Sequence, residues 1–466
     1  MKRLLLILLL LSPLCLLAEQ VTVRLYSTAT IPGLSVTIDH GHYLIYADDT
    51  LLIDSNLFHR STIKMRHYKG RVTLTVGKHN YGSFTSLLLT DADSNHSGIL
   101  ALYPDQAKPR TYEGDLRVCA NPSGGLLLVN HVELETYIAG VVQSEIYGDL
   151  TDIYKVQAVI SRTWALLNLN KHKADGYNFC DHVHCQAYHN RCTMPLILKS
   201  VKATSGQVLK DQDGNLIETP FHANSGGETA NSEDVWKNAF PYLRSVADTF
   251  SLGMKQSSWE KKIPLESWLH FIQHESKTKL THDSLIYLAT HFSQPHRQGS
   301  WLGIPLKRFR SEFKLRSTFF DVELDSINNQ VLLHGRGYGH GVGLSQEGAI
   351  RRVQCGHSYD QVLLYYYPGA LLSPILSSSV SIEDSTITTT ASTPAPVVSP
   401  AINNSSAVTT SPSPSINNPS AVATSPSPTT TSSTTAISPT PKKQKSKKST
   451  NQDDAPTEDS EWEFDW

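Results

Sequence analysis

Between His334 and Ala349 the chain reads HGRGYGHGVGLSQEGA, with glycine at every second position from Gly335 to Gly343. Such a row restricts the backbone severely. In an extended segment side chains alternate in direction, so the glycines would line one bare face and Arg336, Tyr338 and His340 the other. A bare face admits a second backbone or a flat ligand at close range. Nucleotide cradles are excluded by spacing. A dinucleotide loop needs glycines at i, i+2 and i+5, and a P-loop needs Lys-Ser/Thr after its last glycine. From Gly335, Gly337 or Gly339 the i+5 position is His340, Val342 or Leu344, and no Lys follows. The row alone leaves two readings open: tight packing against a neighbouring element, or the wall of a cleft.

The first residues, MKRLLLILLLLSPLCLLAEQ, set Lys2 and Arg3 before an apolar run from Leu4 to Leu17. That run is short for a membrane span and has the length of a secretory leader, with Ala18 as the cleavage point. Cys15 does not read as a lipidation site, because the bulky Leu14 precedes it. No later segment is long and apolar enough to span a bilayer, so no transmembrane segment is expected once the leader is removed. The expectation is an exported protein of the periplasm or cell envelope. The formal net charge is −2. It becomes about −4 without Lys2 and Arg3, which gives no basic field for nucleic acid. Of the six cysteines one lies in the leader, leaving Cys119, Cys180, Cys185, Cys192 and Cys355. An odd number in an exported chain leaves a free thiol, or cysteines bound to metal.

The expected organisation is a leader at 1–18, a β-rich region at 19–110, a second folded region at 111–376, a low-complexity linker at 377–441 and a basic-then-acidic tail at 442–466. Short alternating runs such as VTVRLY, YLIYAD and RVTLTVGK read as strands. From Val132 the period becomes helical, with Ile153, Val156, Val159, Ile160 and Leu167 as one apolar stripe. IPLESWLHFIQHE reads as a helix, and DVELDSINNQVLLHGRG as a hairpin around Asn328 and Asn329. Ser345 caps a short helix that Gly356 ends. The fold class is therefore α+β. Beyond Ser377 the repeats SPAINNSSAVTTSPSP and SPSINNPSAVATSPSP are too short and polar to bury a core and read as a flexible stalk. KKQKSKK and the acidic end after it read either as self-neutralising charge blocks or as a tether to anionic wall polymer or lipid.

The strongest chemical candidate lies in VELETYIAGVVQSEIYGD. Glu145 follows an apolar helix, beside Ile146 and a turn after Val141 and Val142. A carboxyl in apolar surroundings has a raised pKa, as a general acid near neutral pH requires. The same position also fits a solvated glutamate at a helix end. Glu133 and Glu135 read as first-turn residues favoured by the helix dipole.

Four blocks together resemble the stage II sporulation protein D (SpoIID/LytB) family of peptidoglycan lytic transglycosylases. They are LETYIAGVVQSEI with KVQAVISRTWAL, then CDHVHCQAY, then TPFHANSGGETANSEDVW with PYLRSV, and GRGYGHGVGLSQEGA with YYYPG. They occur in family order and span roughly residues 112–369. The resemblance implies that Glu145 is the catalytic acid/base. It would cleave the bond between N-acetylmuramic acid and N-acetylglucosamine without water, leaving a 1,6-anhydro end on peptide-denuded strands. An intramolecular nucleophile has a high effective molarity, so the carboxylate pair of ordinary glycosidases is not required. Asp149 follows a glycine turn and is not taken as a partner. The resemblance also makes Gln157, Arg162, Gln186, Ser225, Gly226, Arg336, Tyr338, His340 and Gln346 candidates for substrate binding. The glycine row then becomes a wall on which a glycan ribbon can lie. Peptidoglycan glycan strands are the implied partner. Because some relatives are described as amidase enhancers, the alternative is a non-catalytic binder that activates a cell-wall amidase.

The segment HKADGYNFCDHVHCQAYHNRC crowds cysteine and histidine at short spacing. Such donors suit tetrahedral zinc, and the resemblance includes members that bind zinc in this region. The best set is His172, Cys180, His184 and Cys185, as a structural zinc site that the chemistry does not require. A disulfide, Cys185–Cys192 or Cys119–Cys355, is the competing reading in an oxidising compartment. A papain-like pairing of Cys185 with His340 lacks any local nucleophile signature. Residues 250–320 carry no readable motif; a lid or a substrate arm is the expectation for them.

Overall fold

Strands form where the sequence alternates. In Gln20–Leu25 the residues Val21, Val23 and Leu25 turn inward and are buried, while Thr22 and Arg24 stay partly open. The computed structural model describes residues 20–57, 61–93, 98–276 and 281–375 of the 466-residue chain. The expected leader, linker and charged tail lie outside these residues.

The architecture is α+β. A seven-stranded sheet has the spatial order Phe179–Cys180, Gln20–Leu25, Leu126–Glu133, Asp115–Ala120, Ser86–Asp91, Tyr43–Ala47, Thr50–Asp54. A six-stranded sheet has the order Arg110–Glu113, Ile99–Pro104, Gly33–His40, Ile63–Tyr68, Arg71–Val76, His79–Phe84. Within these two sheets neighbouring strands are antiparallel, except that Gln20–Leu25 pairs in parallel with Phe179–Cys180, setting Arg24 opposite Cys180. The cysteine segment is thereby clipped to the edge of the sheet.

One apolar cluster joins inner residues of both sheets, such as Val36, Leu74, Val23 and Val118, to two helices, α1 (Leu134–Glu145) and α2 (Thr151–Leu167). Each fully buried Val, Leu or Ile stabilises the fold by roughly 1.5–3 kcal/mol relative to an exposed one. In α2 the predicted stripe of Ile153, Val156, Val159 and Ile160 is fully buried. Leu167, assigned to the same stripe, is instead 38% exposed, because the helix ends there and Asn168 caps it. Helix α1 buries Tyr137, Ile138, Ala139, Val141 and Val142, so it is apolar around most of its circumference. A helix of that pattern belongs in an interior.

Residues 258–336 build a module with its own core of Trp259, Trp268, Phe271, Phe309 and Phe320. It rests on a three-stranded antiparallel sheet of Ser258–Pro264, Gln330–Arg336 and Phe320–Asp325, in that spatial order. The helix at Leu265–Glu275 and the hairpin turn at Asn328 and Asn329 fall where the pattern places them.

The glycine row departs from its predicted form. Its strand ends at Arg336, and Gly337, Gly339, Gly341 and Gly343 all take positive φ. The alternation of faces is therefore lost. The bare sides are filled by protein. A Cβ on Gly335 would lie 1.9 Å from the Trp259 indole, and one on Gly337 would lie 2.6 Å from the Asn224 carbonyl oxygen. There Asn224 and Tyr338 exchange backbone hydrogen bonds of 3.1 and 2.8 Å. Close approach of neighbouring backbone and side chains is what these glycines serve.

Candidate active site

Glu145 is the last residue of α1, and the chain leaves the helix at Ile146 in an extended conformation. One carboxyl oxygen, Oε1, accepts a 2.7 Å hydrogen bond from the backbone N–H of Ala187. The Glu145 carbonyl accepts a second, 3.1 Å, from the Gln346 side chain. Three of the sequence blocks thus meet at one residue. The side chain keeps part of its surface open. Even so, loss of solvent around the carboxyl raises its pKa from 4.5 to about 7, against the opposing pull of the Ala187 N–H. Its place at a helix C-terminus, where the dipole is negative, also disfavours the charged form. Among the described residues no charged neighbour contributes to the shift.

The segment that supplies Ala187 is seated by a glycine inside α1. A Cβ on Gly140 would lie 2.5 Å from the ring of Tyr188. Glycine costs a helix interior about 1 kcal/mol relative to alanine; here it lets Tyr188 lie against the helix. Ala187 and His189 can then direct their N–H groups at Glu145 and at the Ser144 hydroxyl. Behind this contact Tyr137 donates to Gln186 Oε1, and the Gln186 amide reaches the Ser161 carbonyl. Gln157 is fully buried and donates to Ser161 Oγ, while its Oε1 has no partner among the described residues.

The other candidates occupy different positions. Arg162 is completely buried and makes a bidentate pair with Glu135 at 2.8 and 2.6 Å, plus a bond to the Gln207 carbonyl. It holds α1 to α2 instead of facing an open cleft. Ser225 is buried and donates to Asp248. Gly226 takes φ 70°, and a Cβ there would strike the backbone of Arg336. Arg336 stacks 3.7 Å from the Phe319 ring and donates to the Gln294 carbonyl and to Asp321. Tyr338 lies beneath the Arg316 guanidinium. His340 is buried, bonds the Phe221 carbonyl through Nε2, and accepts from the Val342 N–H at Nδ1. Burial pushes its pKa down to about 3, so the ring is neutral. Of the residues expected from the glycine row and its flank, Gln346 is the one bonded to Glu145.

The cysteine and histidine residues converge. The ligand atoms of His172, Cys180, His184 and Cys185 all lie within 4.8 Å of one another. His184 Nδ1 stands 3.7 Å from Cys180 Sγ and 3.8 Å from Cys185 Sγ. A hydrogen bond from Cys185 draws the Cys180 thiol well below its ordinary pKa, and Cys185 is raised in turn. His172 sets Nδ1 3.1 Å from Asp175, while its Nε2 is buried with no hydrogen-bond partner among the described residues. A carboxylate on one ring nitrogen and an unpartnered second nitrogen is the usual arrangement of a metal-ligating histidine. Two sulfurs and two imidazoles also match the donor set of structural zinc. No disulfide joins the cysteines of the described residues.

The local pattern at Glu135 reads as a first-turn residue and does not show its pairing with Arg162. The His172–Asp175 spacing of three could have signalled the carboxylate partner. Nothing local marks Gly140 or the Ala187 N–H.

Residues 122–210 match the family model SpoIID, stage II sporulation protein. That interval holds Glu145, its Ala187 contact and the Cys/His quartet. The chain is 28% identical over 269 residues to stage II sporulation protein D of Bacillus subtilis, covering 53% of this chain and 76% of that protein. It is 27% identical over 271 residues to the protein of that name in Bacillus amyloliquefaciens, covering 53% and 75%. It is also 25% identical over 291 residues to an amidase enhancer of Bacillus subtilis, covering 51% of this chain and 40% of that protein.

Proposed function

From the premise that this chain belongs to the SpoIID family, we propose that it is an exported peptidoglycan lytic transglycosylase acting on glycan strands in the cell envelope. The observation that carries the reading is Glu145: a single carboxyl, its pKa raised to about 7, with one oxygen anchored by Ala187. The protonated acid donates to the glycosidic oxygen as the bond to the muramic C1 breaks. The resulting carboxylate takes the proton from the C6 hydroxyl, whose oxygen closes on C1. The products are a 1,6-anhydro end and a free hydroxyl on the leaving sugar, with no water consumed. Because the nucleophile belongs to the substrate, one carboxyl suffices. Digestion of purified glycan, with and without stem peptides, tests this: mass spectrometry should find anhydro ends, and reducing ends would overturn it.

The acid must be protonated when free enzyme meets substrate. The expected kcat/KM is highest below pH 7 and falls as pH rises through about 7, where Glu145 loses its proton. Initial rates of anhydro-end formation from pH 5 to 9 check this.

We further propose that His172, Cys180, His184 and Cys185 hold a structural zinc ion. Bound there it would supply folding free energy by tying the 172–185 segment, and through it Ala187, to the sheet edge. Metal analysis of the purified chain should find one zinc per molecule. A strong chelator should then lower its melting temperature, and added zinc should restore it.

The likeness to an amidase enhancer favours a second reading, a binder that activates a cell-wall amidase. Glycan binding with no cleavage by the wild type, together with faster peptide release by an added amidase, would establish it instead.

A further inference from the structure

We infer that Tyr147 is a sugar-stacking platform beside Glu145, on which a pyranose ring next to the scissile bond lies; this rests on the glycan reading above. Ile146 is extended at φ −138° and ψ 142° and is buried in the core. In extended backbone, successive side chains project to opposite faces, so Tyr147 points away from the face that Ile146 buries. Glu145 ends the helix, Ile146 turns inward, and Tyr147 is therefore the first residue after the acid to face outward. The tyrosine is 77% exposed and has no hydrogen bond or ring contact among the described residues.

A single exposed aromatic side chain is ordinary on a protein surface. This one differs in how firmly its backbone is held. On one side the Ile146 N–H bonds the Val142 carbonyl and its side chain is buried. On the other, the hydroxyl of the buried Tyr154 donates to the Gly148 carbonyl. The ring is therefore presented outward from a turn fixed at both ends, which is how a rigid binding element is built. The chemistry it offers is an electron-rich face and a large apolar area. A pyranose offers the complement: axial C–H bonds on one face, with hydroxyl and acetamido groups at the rim. Uncharged sugar is thus the matching ligand, and a platform two residues along a fixed backbone from the acid is within reach of a sugar next to the scissile bond.

The test uses the full mature chain. Tyr147→Ala, Tyr147→Phe and Tyr147→Trp are compared for cleavage of peptide-free glycan strands. In a Glu145→Gln background the same substitutions are compared for binding to those strands. Tyr147→Ala should raise KM and weaken binding by about tenfold, the scale of an aromatic contact. The melting temperature and the pH midpoint should be unchanged. Phe and Trp should restore most of the affinity, which a merely structural role for the hydroxyl would not predict. Alanine binding and cleaving as the wild type does would overturn the inference. If the wild type forms no anhydro ends, the reaction reading fails, yet the binding comparison still decides Tyr147: tenfold weaker binding supports it, and equal binding removes it.

Discussion

Glu145→Gln is expected to end the formation of anhydro ends while leaving glycan binding in place. General acid/base assistance contributes about 10²–10⁴-fold, and the amide can neither donate an acidic proton nor accept one from the C6 hydroxyl. The variant keeps the shape of the site, because the amide oxygen can still accept from the Ala187 N–H at the position Oε1 holds. A second consequence follows from burial. The folded carboxyl keeps its proton up to about pH 7, whereas its ordinary value is 4.5. Between those values the folded chain binds more protons than the unfolded one. The stability linked to that proton is complete below 4.5 and is lost as pH rises through about 7. Glutamine has no proton to lose. Thermal denaturation should therefore find Glu145→Gln more stable than the wild type at pH 8 and nearly equal to it at pH 4. A variant that is inactive and also less stable at pH 8 would mean that the carboxylate is a structural partner, and the acid/base role would be withdrawn.

The largest stability effect is expected at the Glu135–Arg162 pair. Arg162 is fully buried, and Glu135 is the carboxylate that balances it. Removing Glu135 alone leaves the buried guanidinium without its carboxylate; about 3–5 kcal/mol is the penalty for a fully buried pair, and the partly exposed Glu135 makes that an upper bound. Glu135→Ala should lower the urea midpoint accordingly. Glu135→Ala combined with Arg162→Met should recover a large part of the loss, since the stranded charge is then gone. Neither variant should move the pH midpoint of any activity that remains, because the pair does not touch Glu145. A double variant as unstable as Glu135→Ala would show that the guanidinium contributes packing, including its bond to the Gln207 carbonyl, rather than a charge needing balance.

The site was partly legible. Glu145 stands out because an acid at the end of an apolar helix is a conflict visible in one dimension. The quartet of His172, Cys180, His184 and Cys185 could be named because metal donors are few in kind and cluster closely along the chain. Arg336, Tyr338 and His340 were placed on a shared face by assuming extended backbone, and that assumption fails where four glycines turn to positive φ. Arg162 looked available because its partner Glu135 lies on another helix. Residues 258–336 gave separate helix and hairpin signals, but a core such as Trp268 against Phe309 and Phe313 is assembled from segments distant along the chain.

The sequence by itself determined the alternation of strands, the two apolar helices, the acid at the end of the first and the sulfur and imidazole donors after the second. Each follows from residue type and short-range period, which act locally. Only the tertiary structure decided what surrounds the acid. Ala187 and Gln346 lie 42 and 201 residues from Glu145 along the chain, yet both bond to it. A pKa and a hydrogen-bond partner depend on which atoms come within a few ångströms, and that is settled when the sheets, α1, α2 and the glycine-rich turns close on one another.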